Sequence, residues 1–111
     1  MSFLNFNREK SANNAAVRII RKLPASVQPY KRTQTFTRTT TPQGFLKKHA
    51  TRAGVWALLC VEKGQLEYVI TQSGYARRTF LHVGESAVVA PEHQHYVSPS
   101  NSCEFHMVYY R

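Results

Sequence analysis

The chain has 111 residues, 42% of them hydrophobic and 12% aromatic, which is enough for one domain with a core and too little for two. That composition excludes an intrinsically disordered chain, and no apolar run approaches the roughly 18 residues that a membrane-spanning helix needs. The formal net charge is +9, and the first 60 residues hold eleven of the 15 lysines and arginines with a single acid. Such asymmetry can indicate a nucleic-acid-binding arm. The chain lacks a nucleic-acid motif and a platform of stacking aromatics, so a solvated basic face is the simpler interpretation.

Residues 1–28 are interpreted as an N-terminal arm, partly helical or extended, that precedes the domain. Ser11 can cap a short helix over residues 12–21, which Pro24 would end. Near its start the arm carries three large apolar side chains: Phe3, Leu4 and Phe6. Because small β-domains have sheet edges that need covering, we predict a homodimer in which this arm or an edge strand crosses between subunits.

The N-terminus also lacks the apolar segment of roughly 7–15 residues that a secretory signal requires. Both cysteines, Cys60 and Cys103, lie within apolar runs, where buried free thiols are more common than a disulfide. We therefore expect a cytoplasmic protein that has no disulfide and no membrane partner.

Residues 29–111 are interpreted as a single domain, in which β-branched and apolar residues favour short strands. The predicted strands, about 8–12 residues apart, are residues 33–38, 45–49, 55–61, 66–71, 77–83, 86–90 and 103–110. Turn signals such as Gly64 and Gly84 separate them. This pattern is typical of an all-β fold, a small antiparallel barrel or sandwich. The candidate core residues are Trp56, Leu58, Val61, Leu66, Phe80, Val88 and Phe105.

The stretch from Gly84 to His95 carries the strongest functional signal in the sequence. A Gly-acid turn opens a short apolar strand, Pro91 marks its end, and His93 and His95 follow. Neutral imidazole is the commonest side-chain metal ligand, so this strand end is a candidate metal site. A surface loop that happens to carry two histidines is the alternative interpretation.

Histidines that are distant in the sequence can converge in a small barrel, because alternate residues of each strand point inward. We expect His49 and His95 to hold one divalent metal ion at the barrel mouth. Either His93 or His106 would then be the third protein ligand, with water in the open position.

The two further histidines also have structural interpretations. His93 can be a side chain at the rim, and His106 can be a core histidine that is hydrogen-bonded to Glu104 or Tyr109. His82 is expected to be structural or exposed. The third ligand is therefore left open between His93 and His106.

Three stretches of the sequence resemble a known family. Residues 61–66 resemble the strand-Gly-strand element of cupin β-barrels, and residues 84–95 resemble the second cupin motif. Residues 29–56, in which four residues separate His49 from Gly54-Val55-Trp56, resemble the small cupin domain of the TehB N-terminal and YeaR type. The resemblance covers roughly residues 30–111 and implies a cupin-like jelly-roll fold. It departs from the cupin pattern because His49 is the sole histidine of the first motif, and the position of the usual glutamate, near Ala57, is apolar.

The resemblance implies a metal-binding protein associated with tellurite, oxyanion or related stress resistance. Zinc is the first expectation for the metal, with iron or nickel as alternatives, and a small or anionic molecule would be bound or converted beside it. Whether the protein is an enzyme is left open, because the missing glutamate also favours a non-catalytic module that senses or binds a small ligand. A basic protein that binds nucleic acid or a protein partner is the third hypothesis.

Overall fold

The computed structural model describes residues 20–72 and 74–111, which form short strands and one turn of 3₁₀ helix at Gln43–Leu46. The strands are β1 Pro29–Arg32, β2 Phe36–Thr37, β3 Trp56–Lys63, β4 Gln65–Gln72, β5 Tyr75–His82, β6 Ser86–Val89, β7 His95–Pro99 and β8 Glu104–Tyr110. Within these ranges no helix is long and apolar enough to cross a membrane. Most of the helix predicted over residues 12–21 lies outside the described residues, and Ile20 and Arg21 at its end are not helical.

The strands form two antiparallel sheets. One sheet has the order β1-β8-β3-β6, with β2 also paired to β8, and the other has the order β5-β4-β7. Inward-facing side chains of both sheets form one hydrophobic cluster, so the sheets enclose a common core. The prediction of an all-β, cupin-like antiparallel sandwich is confirmed.

The turn at Gly64 carries the chain from β3 in one sheet to β4 in the other. Gly64 has a φ of 66°, and a Cβ atom placed there would come within 2.9 Å of the Cys103 backbone. Glycine adopts this left-handed conformation without steric cost and lets the two backbones approach each other closely. The predicted Gly64 turn therefore marks the crossing between the sheets.

Strand β3 shows how the core is selected. Its side chains alternate, so that Ala57, Leu59 and Val61 are buried between the sheets while Trp56 and Leu58 lie half-buried on the outer face. The period of two residues in a strand decides which side chains point inward. In a continuous apolar run the sequence does not show which side chains point inward, because both faces of the strand carry hydrophobic residues.

The predicted core is therefore correct only in part. Val61, Leu66 and Phe105 are buried as expected, with at most 4% of their surface exposed. Phe80 was wrongly placed in the core, because it alternates with the buried Leu81 and is 52% exposed. The other candidates are half-buried on outward-facing positions: Trp56, Leu58 and Val88.

Three local predictions also differ from the structure. Residues 45–49 were predicted to be a strand, but a 3₁₀ turn occupies Gln43–Leu46 and only His49 makes a β-bridge. The strand predicted over residues 33–38 is reduced to β2, which ends at Thr37, where the hydroxyl of Thr41 donates to the Thr37 carbonyl and closes a turn. Strand β7 was missed, since its histidine, serine and proline are weak strand signals.

The cysteine prediction agrees with the structure in its main point. Cys60 and Cys103 are both free thiols, Cys103 buried and Cys60 half-buried on the outer face of β3. Burial raises the pKa of both thiols above the ordinary cysteine value. The thiols are therefore kept protonated and contribute to packing rather than to chemistry.

Candidate metal and ligand site

His49 and His95 are brought together by a backbone bridge. The amide of His49 donates to the carbonyl of His95 at 2.9 Å, and the amide of His95 donates back at 2.8 Å. The bridge attaches the segment before β3 to the first residue of β7. As a result the two imidazole rings lie with their centroids 4.2 Å apart.

Both rings are held in the same tautomer. Nδ1 of His49 lies 2.9 Å from the carbonyl oxygen of Lys47, and Nδ1 of His95 lies 2.8 Å from that of His93. Since a carbonyl oxygen only accepts hydrogen bonds, each Nδ1 must carry the proton. The lone pair of each ring is therefore on Nε2, which is one of the two ring nitrogens through which a neutral histidine can bind a metal.

The surroundings keep His95 neutral and fix its orientation. Only 1% of His95 is exposed, and burial lowers its pKa to about 4, helped by the neighbouring His49 and opposed by the hydrogen bond to the His93 carbonyl. The ring of Tyr68 packs edge-on against it at 5.6 Å. On the other side of the pair, Phe45 stacks on His49 with a centroid separation of 5.5 Å. Aromatic packing thus restricts both imidazoles to one position.

The histidine pair lies in the wall of a cavity of about 450 Å³ at one end of the sandwich. Its lining residues are Tyr30, Lys31, His49, Ala50, Thr51, Arg52, Val55, His95, Met107, Tyr109 and Arg111. The lining contains the three cations Lys31, Arg52 and Arg111 but no aspartate or glutamate among the described residues. A cavity with cations and neutral imidazoles attracts anions and offers no carboxylate ligand to a metal.

An aromatic and cationic wall lies near the end of β8. The guanidinium of Arg111 lies 4.1 Å above the ring of Tyr30, and Tyr30 packs against Tyr109 at 6.5 Å. Two backbone hydrogen bonds between Arg111 and Gln28, both of 3.1 Å, fix the position of this wall. The hydroxyl of Tyr109 has the thioether of Met107, at 3.8 Å, as its hydrogen-bond acceptor among the described residues.

The structure does not bring His93 or His106 to the pair. His93 contributes its backbone carbonyl to the orientation of His95 and does not line the cavity. His106 alternates with the inward-facing Met107, so it points to the outer face of its sheet, where Nδ1 contacts Glu62 at 2.5 Å. Its partner is therefore neither Glu104 nor Tyr109. Among the described residues, no three histidine, cysteine, aspartate or glutamate side chains are grouped closely enough to hold a metal ion.

The sequence identified the histidine pair but missed most of the wall around it. Arg52, three residues after His49, lines the cavity, whereas Lys48, directly before His49, lines a different groove beside Gln94 and Tyr96. Lys31 and Arg111 were not predicted, because they are far from His49 in the sequence. One signal was present: each of these cations directly follows a tyrosine, Tyr30 before Lys31 and Tyr110 before Arg111.

A small antiparallel sandwich with a histidine pair at its open end is a cupin-like domain. The sequence profile of the TehB-like domain family matches residues 31–107, so the chain belongs to that family. No curated protein sequence matches the chain.

Solved structures are similar to the chain over most of its length. TehB from Haemophilus influenzae has 28% sequence identity and a TM-score of 0.72, and the match covers 78% of this chain and 32% of that one. A protein from Escherichia coli strain K12 has 19% identity and a TM-score of 0.75, over 83% of this chain and 97% of that one. Fe(II)-HppE with an alternative substrate has 14% identity and a TM-score of 0.50, over 81% and 59%. The chain therefore spans about a third of the length of the Haemophilus protein.

Proposed function

We propose that His49 and His95 together bind one divalent metal ion, with zinc as the first expectation and iron or nickel as alternatives. The observation that carries this proposal is the shared tautomer of the two rings, since each Nδ1 donates to a carbonyl and leaves Nε2 available. The neutral state of the buried His95 supports it, because a protonated imidazole cannot bind a metal. A metal held by two imidazoles would leave positions for water or a ligand oxygen, where it supplies Lewis acidity.

We further propose that the cavity holds a small anionic molecule, with tellurite or a related oxyanion as the first class to test. Three cations and no carboxylate among the described lining residues favour an anionic small molecule over a neutral or cationic one as the ligand beside the metal. Arg52 and Arg111 can each donate two parallel hydrogen bonds to an oxyanion. The resemblance of the sequence to tellurite-resistance proteins also supports an oxyanion as the ligand.

A non-catalytic binding or sensing module is the second candidate. It is favoured by the absence of an aspartate or glutamate from the described lining, which leaves no carboxylate to act as general base. A panel of small-molecule substrates separates this candidate from an enzyme that uses the same site. Stoichiometric metal without turnover supports the binding module.

The metal proposal is tested by elemental analysis of protein purified without a histidine tag or added metal. The unmodified protein should contain about one metal ion per chain, and His49→Ala should abolish stoichiometric binding. His82→Ala is the control, because His82 is exposed and does not line the cavity. Full metal content in the His49→Ala/His95→Ala double variant, with unchanged thermal unfolding, would overturn the proposal.

The anion proposal is tested by titration calorimetry with tellurite, phosphate and sulfate at two salt concentrations. Arg52→Gln should weaken binding by about tenfold, the loss expected for one charge-assisted contact of about 1.5 kcal/mol. Lys48→Gln removes the same charge from a neighbouring groove and serves as the matched control. Equal effects of the two substitutions would show that only the overall charge matters, and the cavity would not be the binding site.

A further inference from the structure

One side of the cavity brings two cations and a phenol together. Lys31 of β1 and Tyr109 of β8 are paired directly across the two strands, and Arg111 follows Tyr109 by two residues. Cross-strand partners have their Cβ atoms about 5 Å apart on one face of the sheet, and every second residue along a strand points to that same face. All three residues line the cavity. Lys31, Tyr109 and Arg111 are called the β1–β8 wall below.

The hydrogen-bond donors of the β1–β8 wall have capacity left for a ligand. The guanidinium carbon of Arg111 lies 4.1 Å from the centroid of the Tyr30 ring, which attracts the cation but offers its N–H groups no oxygen acceptor. The hydroxyl of Tyr109 donates to the Met107 thioether at 3.8 Å, and a thioether is a weak acceptor. Burial raises the pKa of Tyr109, so this hydroxyl keeps its proton. An oxyanion is a much stronger acceptor for both groups.

The cavity is larger than a compact oxyanion requires. It encloses about 450 Å³, whereas a water molecule accounts for about 30 Å³ and an oxyanion of three or four oxygens for only a few times that volume. Cavities of about 300–1,000 Å³ are the size that binds organic ligands. The lining beyond the β1–β8 wall includes the apolar side chains of Ala50, Val55 and Met107. An inorganic oxyanion gains nothing from this apolar surface, whereas an organic anion can bury its body against it.

We propose that the cavity binds an organic oxyanion, a carboxylate or phosphate group on an apolar body. The β1–β8 wall holds the charged group, and the apolar body lies against the apolar part of the lining. This inference rests on the proposed function, since it names the class of the small anion in the same cavity. The divalent metal proposed for the histidine pair is unaffected. Tellurite would bind as the charged group alone, and therefore more weakly than an organic ligand.

Titration calorimetry with matched pairs of probes tests the apolar body. Acetate is compared with benzoate, and inorganic phosphate with phenyl phosphate, so that each pair adds a ring to the same charged group. Each buried methylene-sized group strengthens binding about fourfold, so a partly buried ring should tighten binding about tenfold or more in at least one pair. Benzamide keeps the ring without the charge and should bind about tenfold more weakly than benzoate. The pair with the larger gain identifies the charged group.

Two substitutions test the β1–β8 wall. Tyr109→Phe removes the hydroxyl and keeps the ring, and it should weaken the tighter of the two ring probes about tenfold, the loss expected for one charge-assisted hydrogen bond. Tyr75→Phe is its matched control, because Tyr75 is 43% exposed and lines a different groove. Lys31→Gln should weaken the same probe by a similar factor. Lys48→Gln removes the same charge beside Tyr75 and should leave the affinity unchanged.

The outcomes separate this inference from the proposed function. Equal affinities within both probe pairs would overturn the apolar body, and the inorganic anion site would still stand if Arg52→Gln weakened tellurite binding. Unchanged affinity in Tyr109→Phe, or benzamide binding as tightly as benzoate, would overturn the role of the β1–β8 wall. Failure of tellurite, phosphate and both ring probes to bind would overturn this inference together with the proposed anion site.

Discussion

Glu62 and His106 form a hydrogen-bonded pair on the outer face of the five-stranded sheet, with Nδ1 of His106 2.5 Å from the Glu62 carboxylate. The same carboxylate oxygen accepts a hydrogen bond of 2.9 Å from the Thr35 hydroxyl, and Arg32 approaches it at 3.8 Å. These contacts, the hydrogen bond from His106 first and that from Thr35 second, hold the pKa of Glu62 below the ordinary glutamate value. The pair joins β8 to the end of β3 and to the segment between β1 and β2.

The pH dependence of stability should reveal this pair. A lowered pKa in the folded state means that ionised Glu62 stabilises the fold above the unfolded pKa of about 4.3 and that this contribution is lost as the pH falls through the folded pKa. Glu62→Gln should therefore lower the free energy of unfolding by about 0.5–1 kcal/mol at pH 7, as for partly exposed ion pairs. The deficit should shrink as the pH falls below the unfolded pKa of about 4.3. Urea denaturation from pH 3 to 8 checks this, with Glu92→Gln as a control for the change in charge.

Two adjacent leucines on β3 should differ in their contribution to stability. Leu59 is 1% exposed between the sheets, whereas Leu58 is half-buried on the outer face. Truncating a buried leucine leaves a cavity, so Leu59→Ala should lower the free energy of unfolding by about 2–5 kcal/mol. Leu58→Ala should cost about half as much or less. Chemical denaturation measures both, and an equal cost would contradict the inward and outward assignment along β3.

The Gly64 turn should tolerate a side chain poorly. In Gly64→Ala the new Cβ would meet the Cys103 backbone at 2.9 Å, and the left-handed φ of 66° adds about 1–2 kcal/mol of strain. Gly84 has a φ of 84° but no atom within 4 Å of an added Cβ, so Gly84→Ala reports the backbone strain alone. We expect Gly64→Ala to lower the thermal midpoint more than Gly84→Ala. Equal shifts would mean that the contact with Cys103 relaxes freely.

Self-association is predicted from an exposed sheet edge. Every residue of β1 is exposed, and β1 forms the end of the five-stranded sheet. Among the described strands β1 pairs with β8 alone, so its other edge can add a strand from another chain, and we expect a homodimer of about twice the 12.7 kDa monomer mass. Sedimentation equilibrium at high micromolar concentration measures the mass. A single species of 12.7 kDa would contradict the prediction.

The parts of the fold that could be predicted were those governed by local patterns. The apolar runs of β3, β4 and β8 and the glycine turns were recognised, because strand propensity and turn chemistry act over a few neighbouring residues. The 3₁₀ turn at Gln43–Leu46 was not, because its apolar residues Phe45 and Leu46 are equally compatible with a strand. Phe80 was misplaced for a related reason, since its inward or outward direction depends on the register with β4.

The candidate site, too, could be predicted only in part. His49 and His95 were identified from the sequence by residue type and by the motifs around them. Their contact depends on a backbone bridge between residues that are far apart in the chain. Strand pairing likewise decides that His106 lies outside the cavity and that Met107 lines it. Side-chain direction alternates at every residue along β8, so a shift of one residue in its pairing would exchange His106 and Met107.

The sequence by itself determined the strand-rich composition, the turns, the basic charge and the presence of the two histidines that we propose as metal ligands. Only the tertiary structure decided which face of each strand is buried. It therefore also decided that Lys31, Arg52 and Arg111 line the cavity with the histidine pair, and that Glu62 lies on the outer face of the sheet. The physical reason is that strand propensity is local, whereas the register between strands follows from packing the whole core.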